Sequence, residues 1–434
     1  MTKTLIRARL LTFLREPQAA DDHSSYRYEE DGAILVEAGV ILKAGPYVDV
    51  RPAAPNVKIV DHRPHLLLPG FIDPHAHFPQ MQVIASYGAE LLDWLNTYTF
   101  PAESEFGDAA HAARIATAFL DEMARQGTTT SAVYCSVHSE SADAFFTEAE
   151  RRNMCIIAGK VMMDRNAPAA LTDTPQSSYD DTKALIARWH GKGRLHYAIT
   201  PRFAITSTPE QMEMAQALAA EHPDLHIQTH LSENHAEVAF SCELYPDCID
   251  YTAIYEKYGL LGPKSLLGHC IHLSDREADA LSVSGSVAVF CPTSNLFLGS
   301  GMFDYFRYRR RAKRLRTAIA TDTGGGTSFS MLRTMDEGYK VIASHGEKLS
   351  PLASFWQATR GNAEALSLAH RIGTLEPGTD ADFVVLNARA TPAMRLRMER
   401  ANTLSEELFV LQTLGDDRAV VETYVAGRAA KGSM

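Results

Sequence analysis

Short apolar runs alternate with stretches of helical period through the middle of the chain. The runs lie at residues 67–72, 128–133, 155–161, 195–199, 225–229, 265–267, 287–290 and 317–320. Intervening segments such as 108–127 and 208–222 carry apolar residues at three- and four-residue spacing, followed by helix stop signals. Apolar strands that alternate with helices are typical of a parallel sheet covered on both faces, and eight such units close a barrel. The pattern therefore predicts an α/β fold whose centre, residues 67–373, is a (β/α)₈ TIM-like barrel.

Both ends of the chain have a different pattern, in which apolar runs alternate with turn residues. These runs lie at residues 4–13, 33–45, 381–387 and 419–427. Ala38-Gly39 divides the second run in the manner of a hairpin turn. We expect the two ends, 1–66 and 374–434, to pair into one small composite β domain, a β-sandwich.

Composition adds expectations about the environment of the protein. The 434 residues are 45% hydrophobic, yet no stretch approaches the roughly 18 uninterrupted apolar residues of a membrane span, so we expect no membrane partner. Arg7, Arg9 and Arg15 interrupt the apolar residues near the start, which argues against a targeting segment. Six cysteines without a Cys-x-x-Cys pair fit a reducing compartment, and the cytoplasm is the expected location.

A formal net charge of −11 argues against sequence-independent binding to nucleic acid, which requires many cations to neutralise phosphates. One local run, "FDYFRYRRRAKRLR" at 303–316, interleaves aromatic and basic residues as some nucleic-acid surfaces do. Because the chain as a whole is acidic, we interpret this run as a helix whose arginines face solvent or a neighbouring subunit. Phe303 and Phe306 would pack inward. We therefore expect no nucleic-acid partner.

The first central run leads into "DPHAH", which sets His75 and His77 one residue apart. In a barrel, chemistry is located at the carboxyl ends of the strands, so the residues that follow each run are the place to look. Extended backbone sends residues i and i+2 to the same side, so both imidazoles could face one ion. A His-x-His pair alone is weak evidence, because many such histidines are structural or exposed. It needs partners.

Three other runs supply those partners. The fifth leads into His230, with Glu233 three residues on, the sixth into His269 and the eighth into Asp322. Each residue alone has a structural interpretation: a core histidine, a solvated carboxylate, a capped strand end or an Asx turn. Four strands that deliver histidines and a carboxylate to the same rim instead indicate a metal site.

The predicted metal ligands are His75, His77, His230 and Asp322. Three imidazoles and a carboxylate suit a borderline divalent ion, zinc first and iron(II) second. Such an ion lowers the pKa of a bound water to about 7 and so supplies a nucleophile. Glu233 could move a proton onto the substrate, and His269 and Asp322 could orient the water and share its proton. The predicted chemistry is metal-assisted hydrolysis.

The stretches "PGFIDPHAH", "THLSE", "GHC" and "TDTGG", in this order, resemble the motifs of the amidohydrolase superfamily, and the match continues through "GTLEPGTDADFVVLN". Members that lack a carboxylated lysine at the end of the fourth strand are usually mononuclear deaminases. The fourth run here reads "LHYAITPRF" and has no lysine. Lys160, which we place on the third strand, would be a bridging ligand only if the strands were miscounted.

Within that superfamily the chain is similar to the guanine deaminases. The stretches that carry this resemblance are "HAHFPQ", "LLDWLNTYTFPAE", "GKVMMDRN", "TPRFA", "HLSEN", "CPTSNLFLGSG" and "TDTGGGTSFSML". The resemblance implies hydrolysis of guanine to xanthine and ammonia in purine catabolism, by a homodimer with one zinc ion per chain. It implies that Gln80, Arg202 and Phe203 contact the purine, that Glu233 protonates a ring nitrogen and that zinc-bound hydroxide attacks C2. From the residues alone, Arg202 could equally be a salt bridge at the rim, and Phe203 a core residue.

Three other interpretations remain open at this point. The first is a deaminase of another amino-heterocycle, such as cytosine, a triazine or an adenosyl compound, on the same scaffold. The second is a non-catalytic relative that uses the barrel as an interaction surface, against which the complete set of metal ligands argues. The third is a binuclear cyclic-amide hydrolase that uses Lys160.

Overall fold

The computed structural model describes residues 3–87 and 90–432, whose strands form two sheets. The strands are β1 (Thr4–Phe13), β2 (Tyr26–Glu37), β3 (Val40–Pro46), β4 (Ile59–Pro69), β5 (Phe71–His77), β6 (Thr128–Tyr134), β7 (Cys155–Gly159), β8 (Val161–Met162), β9 (Leu195–Pro201), β10 (His226–Leu231), β11 (Ser265–His269), β12 (Val287–Phe290), β13 (Arg316–Ile319), β14 (Phe383–Leu386), β15 (Val420–Val425) and β16 (Arg428–Ala429).

Helices follow most of the central strands, as the 3.6-residue period predicts. The α-helices span Tyr47–Val50, Leu91–Trp94, Phe100–Glu103, Ala109–Arg125, Ser139–Arg152, Pro175–Trp189, Pro209–Glu221, His235–Leu244, Tyr251–Lys257, Asp275–Ser284, Pro292–Phe297, Tyr305–Arg309, Met331–Ser344, Pro351–Trp356, Asn362–Ala365, Pro392–Met398 and Leu404–Leu414. The predicted helices within 108–127 and 208–222 are confirmed as Ala109–Arg125 and Pro209–Glu221.

The central sheet is a nearly closed parallel barrel in which the strand order is β5, β6, β7, β9, β10, β11, β12 and β13, with β8 paired to β9. Two backbone hydrogen bonds connect the first strand to the segment after the last one. Asp322 N–H donates to the carbonyl of His75 at 2.9 Å, and His77 N–H donates to the carbonyl of Thr323 at 3.0 Å. The barrel therefore closes at the predicted metal ligands, and the predicted fold class is confirmed.

The second sheet has the order β16-β15-β14-β4-β1-β2-β3 and combines both ends of the chain. In it β1 pairs with β2 antiparallel and with β4 parallel, so the sheet is mixed. Ala38 and Gly39, with φ of 54° and 82°, form the predicted hairpin turn between β2 and β3. Apolar residues of six strands share one buried cluster. In place of the expected sandwich, the structure has one continuous mixed sheet with its own buried apolar cluster.

The described chain divides into two compact units. One comprises Met1–Asp73, Asp121–Thr130 and Phe329–Met434, and the other comprises Pro74–Leu120 and Ser131–Ser328. The first unit contains the mixed sheet. The second contains every predicted site residue, so the site can be described within one unit.

Two predicted strands differ from those in the structure. Residues 67–69 belong to the mixed sheet, where they pair with β14, and the barrel strand β5 begins only at Phe71. A continuous apolar run cannot reveal that the chain changes sheets at Gly70. The third strand is interrupted at Lys160, because the backbone N–H of Lys160 donates to the hydroxyl of Tyr197 at 3.1 Å instead of to a strand.

The basic run at 303–316 forms only a short helix, Tyr305–Arg309. Phe303 is buried as predicted, but Phe306 is only partly buried, and Tyr305 and Tyr308 fill the interior. The arginines contact an acidic neighbouring helix: Arg307 and Arg311 each lie 2.9 Å from Asp275. These ion pairs offset part of the charge of the run within the chain itself.

Among residues 3–87 and 90–432, no helix combines the length and the apolar character needed to cross a bilayer. The six cysteines are all free thiols.

Candidate active site

The four predicted metal ligands converge at the point where the barrel closes. Nε2 of His77 lies 3.3 Å from Nε2 of His75 and 3.2 Å from Nε2 of His230. Oδ1 of Asp322 lies 3.3 Å from Nε2 of His75 and 3.4 Å from Nε2 of His77. His75, His77 and Asp322 are buried, and His230 is half-buried where it lines the pocket.

The protonation of these imidazoles fits a metal ion. Nδ1 of His230 is 2.7 Å from the carbonyl oxygen of Arg202, to which it must donate, so Nε2 of the neutral ring carries a lone pair. Burial lowers the pKa of His75 and lowers that of His77 and His230 well below the usual range, which keeps the rings neutral. Neutral nitrogens and a carboxylate gathered in a buried space are the donors that a divalent transition ion prefers.

Two further side chains pack against this cluster. The ring of Tyr134 stacks on His77 with centroids 4.5 Å apart and an interplanar angle of 23°. The sulfur of Cys291 lies within 4.8 Å of a potential ligand atom of His269 and of one of Asp322. Sequence reasoning missed both residues. Tyr134 ends the second barrel strand and Cys291 follows the seventh, so the rule that chemistry lies at the carboxyl ends of barrel strands (the strand-end rule) could have found them.

Glu233 is held in the pocket by the start of the following helix. Asn234 and Glu237 form a capping box, and Oε2 of Glu237 also accepts the backbone N–H of Glu233 at 2.7 Å. The hydroxyl of Ser300 donates to Oε1 of Glu233 at 3.0 Å. Burial raises the pKa of Glu233 to about 7 despite the opposing effect of His269. The carboxyl group can therefore gain and lose a proton near neutral pH.

His269 connects Glu233 to a residue that sequence reasoning missed. Nε2 of His269 lies 3.4 Å from Oε2 of Glu233, and Nδ1 lies 2.9 Å from Oδ1 of Asn295, to which it must donate. Burial disfavours the charged ring, but the carboxylates of Glu233 and Asp322 outweigh it and raise the pKa of His269. Asn295 lies in the quoted stretch "CPTSNLFLGSG", where nothing in the letters singles out this one amide.

The backbone around these residues adopts a conformation that side chains usually avoid. Ser232, His269, Cys270 and Asp322 have φ of 52°, 71°, 53° and 49°. Left-handed φ outside glycine costs on the order of 1 kcal/mol or more and tends to occur at functional sites. These turns lie where strands β10, β11 and β13 end, at the rim that carries the predicted chemistry.

Gln80 and Arg202, the two polar side chains predicted to contact the substrate, both bind a third residue. This residue is Glu103, which sequence reasoning missed. Nε2 of Gln80 donates to Oε1 of Glu103 at 2.9 Å, and Nη1 of Arg202 donates to Oε2 of Glu103 at 2.5 Å. All three side chains are buried. We call Gln80, Glu103 and Arg202 the recognition wall. Glu103 closes the quoted stretch "LNTYTFPAE", but helical period gives no reason to place it here.

Phe203 and an apolar cluster form another side of the pocket. Phe203 is buried together with Trp94, Leu95 and Leu298, and its ring lies 6.3 Å from that of His230. The pocket encloses about 410 Å³ including its open mouth, a size typical of small-molecule sites. Seven other predicted site residues line it with Phe203: His77, Gln80, Arg202, His230, Glu233, His269 and Asp322. Glu237, which was not predicted, lines it as well.

Lys160 is not part of this pocket. Its buried ammonium group contacts a carboxylate oxygen of Asp173, and it also donates to the carbonyl of Val161 at 3.4 Å. This ion pair gives the lysine a structural partner away from the pocket-lining residues. It removes the reason for assigning Lys160 a bridging role between two metal ions.

Comparison with known proteins agrees with the motifs. Residues 66–430 match the profile of the amidohydrolase family. The chain is 46% identical over 406 residues to guanine deaminase of Escherichia coli strain K12, covering 93% of this chain and 92% of that protein.

Solved structures give the same result at the level of the fold. The structure of E. coli guanine deaminase superposes with a TM-score of 0.96 at 44% identity, covering 98% of this chain and 99% of that one. Guanine deaminase from C. acetobutylicum, solved with guanine bound in its active site, superposes with a TM-score of 0.87 at 28% identity, covering 99% and 100%. On the family match and these similarities, the chain belongs to the amidohydrolase family.

Proposed function

We propose that the protein catalyses the hydrolytic deamination of guanine to xanthine and ammonia. One observation carries the proposal: His77, His230 and Asp322 of the His/Asp cluster line a single pocket. The titratable Glu233 and two members of the recognition wall, Gln80 and Arg202, line the same pocket. The similarity to guanine deaminases supports the choice of substrate. In the reaction a C2–O bond forms and the C2–N bond breaks, with water as the second substrate and ammonia as the leaving group.

The residues that would hold the metal ion are His75, His77, His230 and Asp322, and their donor set suits zinc first and iron(II) second. When bound, such an ion lowers the pKa of a water molecule to about 7, so that a strong nucleophile is available at neutral pH. The neutral state of the buried imidazoles supports this assignment, because only the unprotonated ring nitrogen can bind a metal.

Glu233 is the proposed proton carrier. With its pKa raised to about 7 by burial, its carboxyl group can take a proton from the attacking water and deliver it to the ring nitrogen next to C2. Protonation of that nitrogen makes C2 more electrophilic. The hydrogen bond from Ser300 to Oε1 leaves Oε2 as the oxygen that faces His269.

His269 is the proposed second member of the proton path. Because Nδ1 is committed to Asn295, Nε2 is the nitrogen that faces Glu233. His269 can share the proton of Glu233 and return it to the leaving amino group. Asp322, which contacts two of the histidines, would orient the water and accept its hydrogen bond.

The purine is proposed to lie between the recognition wall and Phe203. Arg202 can only donate hydrogen bonds and suits the O6 carbonyl, whereas Gln80 has an amide oxygen that suits the N1–H group. The ring of Phe203 offers an apolar surface for the purine.

Metal content and product formation in the same purified sample test this proposal. We expect about one zinc or iron ion per chain, disappearance of guanine and release of an equal amount of ammonia. Metal binding without guanine turnover would contradict the substrate and retain the hydrolase chemistry. A panel of cytosine, triazines and adenosyl compounds would then test the alternative substrates.

We further propose that the protein acts in purine catabolism as a cytoplasmic homodimer. The resemblance to the guanine deaminases supports the dimer, and the spacing of the free cysteines supports a reducing compartment. Light scattering coupled to gel filtration tests the dimer, which requires about twice the chain mass of 47.8 kDa. A monomer at all concentrations would contradict it.

A further inference from the structure

Glu103 is a buried carboxylate with no place in the proton path. It ends the short helix Phe100–Glu103 and is 1% exposed. Each of its oxygens accepts a hydrogen bond from one member of the recognition wall: Oε1 from Gln80 and Oε2 from Arg202. A carboxylate at this position therefore binds both of the polar side chains that are proposed to contact the substrate.

The contact with Glu103 fixes the orientation of the Gln80 amide. An ionised carboxylate only accepts hydrogen bonds, so it must face the NH₂ group of Gln80. A rotated amide would bring its oxygen against Oε1 of Glu103, which would leave two buried acceptors facing each other. The amide oxygen of Gln80 is thus the atom left to interact with a ligand in the pocket.

Glu103 also holds a hydrogen-bond donor, Arg202, beside the amide oxygen of Gln80. The guanidinium group of Arg202 has only N–H donors, and its ion pair with Glu103 restricts where they point. The recognition wall consequently presents one donor and one acceptor. A 6-oxopurine offers the complementary order, the O6 acceptor next to the N1–H donor. A 6-aminopurine offers the reverse, an exocyclic NH₂ donor next to the N1 acceptor.

We propose that Glu103 is a positioning residue that makes the pocket select 6-oxopurines over 6-aminopurines. It does so by holding the amide of Gln80 with its oxygen toward the substrate and by orienting Arg202. This inference rests on the proposed guanine deamination. It assigns the exclusion of 6-amino analogues to a residue that does not itself contact the purine.

The test compares guanine with 2,6-diaminopurine, which carries the same 2-amino group but reverses the hydrogen-bonding order at N1 and position 6. Mismatched buried hydrogen bonds can cost up to roughly 10⁴-fold in kcat/KM, so the wild-type protein should strongly prefer guanine. In Glu103→Gln the new amide can donate to the oxygen of Gln80, which lets Gln80 turn its NH₂ group toward the substrate. We expect the guanine to 2,6-diaminopurine ratio of kcat/KM to fall by about tenfold or more.

A structural role alone would give a different result, since general damage lowers turnover of both purines in proportion. An unchanged ratio in Glu103→Gln would overturn the proposal. Glu103→Asp is a second variant in case the first does not fold. It keeps a negative charge near Arg202, but the shorter side chain cannot reach both partners, so the ratio should fall here too.

Glu105→Gln is the matched control, because Glu105 is two residues along the same segment with its side chain 64% exposed. Its ratio should equal that of the wild-type protein. The wild-type assay also separates the two proposals. No turnover of guanine by the wild-type protein contradicts the proposed function. Guanine turnover with an unaltered ratio in Glu103→Gln, or in Glu103→Asp if the first variant does not fold, contradicts only the role of Glu103.

Discussion

Two glutamates of the site have nearly equal burial and opposite chemistry: Glu233 lines the pocket, and Glu103 binds Gln80 and Arg202, which line it. Glu233 is 3% exposed and Glu103 is 1% exposed. Glu103 accepts hydrogen bonds from a guanidinium and an amide, whereas Glu233 accepts one from the neutral hydroxyl of Ser300 and faces an imidazole. Burial raises the pKa of Glu233 to about 7, because no permanent cation lies beside it to oppose that effect.

The difference shows that burial alone does not decide what a carboxylate does. A guanidinium group cannot lose its proton in a protein, so the carboxylate next to it serves as a fixed charge and an anchor. A carboxylate next to a hydroxyl and an imidazole can exchange protons with its surroundings. The predictions below test this contrast, starting with the change that removes the chemistry altogether.

His75→Ala should abolish activity together with metal binding. The substitution removes a nitrogen that lies against both Asp322 and His77, and the loss of one of the four proposed ligands weakens the site. Elemental analysis and the ammonia assay on the same sample measure both losses. His345→Ala, which alters an exposed histidine, is the control. Retention of metal and activity in His75→Ala would refute the ligand assignment.

Glu233→Gln should keep the metal and lose most of kcat. Glutamine fills the same volume but cannot carry a proton, and general acid–base catalysis typically contributes 10²–10⁴-fold. Steady-state kinetics with guanine would show kcat reduced by that order, with a much smaller change in KM. Glu243→Gln, an exposed site on the following helix, should behave as wild type. Near-normal kcat in Glu233→Gln would remove Glu233 from the proton path.

The same substitution should stabilise the protein at alkaline pH. The pKa of Glu233 is about 7 in the folded protein against an unperturbed 4.5, so its ionisation costs stability progressively as the pH rises from about 4.5 to 7. Below that window the wild-type and Glu233→Gln proteins should differ little. Above it the variant should be more stable, by on the order of 3 kcal/mol.

Urea unfolding of both metal-free proteins at pH 4 and pH 8 measures this difference. The titration of His75, His77 and His230 cancels in the comparison, because Glu233 does not shift their pKa values. Glu233 also raises the pKa of His269, so the measured difference includes the coupling between these two groups. Equal stability differences at the two pH values would show that Glu233 titrates as in water.

Asn295→Ala should have the smallest effect. It leaves the Nδ1–H group of His269 without an acceptor and frees the ring to change tautomer. Loss of one hydrogen bond of about 1.4 kcal/mol corresponds to roughly tenfold in kcat, with guanine KM unaffected. Asn402→Ala, an exposed amide, is the control. A large rise in KM would instead place Asn295 on the substrate side of the pocket.

The sequence predicts the barrel and its rim well, because both depend on local pattern. The run at 287–290 coincides with the strand Val287–Phe290, and the run at 317–320 differs from the strand Arg316–Ile319 by one residue. The strand-end rule then leads directly to His230, His269 and Asp322. It works because parallel strands bring all their carboxyl ends to one side.

Residues that act through other residues are beyond such reasoning. Glu103 lies 99 positions from Arg202 and 23 from Gln80, on a short helix with no clear period. Asn295 lies 26 positions from His269. Neither spacing can be predicted from the period of a helix or strand, because each contact joins segments that are far apart in the chain. A sequence also cannot show which amide atom of Gln80, the oxygen or the nitrogen, faces the pocket.

The seam that closes the barrel has a consequence for biosynthesis. The hydrogen bonds from Asp322 to His75 and from His77 to Thr323 join segments far apart in the chain, since 322 − 75 gives 247 positions. A ribosome-bound chain that has not yet emerged past Asp322 contains the histidines but cannot assemble the complete cluster. With the proposed ligands, retention of a metal ion would therefore require that synthesis has passed Asp322 and that this seam has formed, and a chain truncated before Asp322 would lack one ligand.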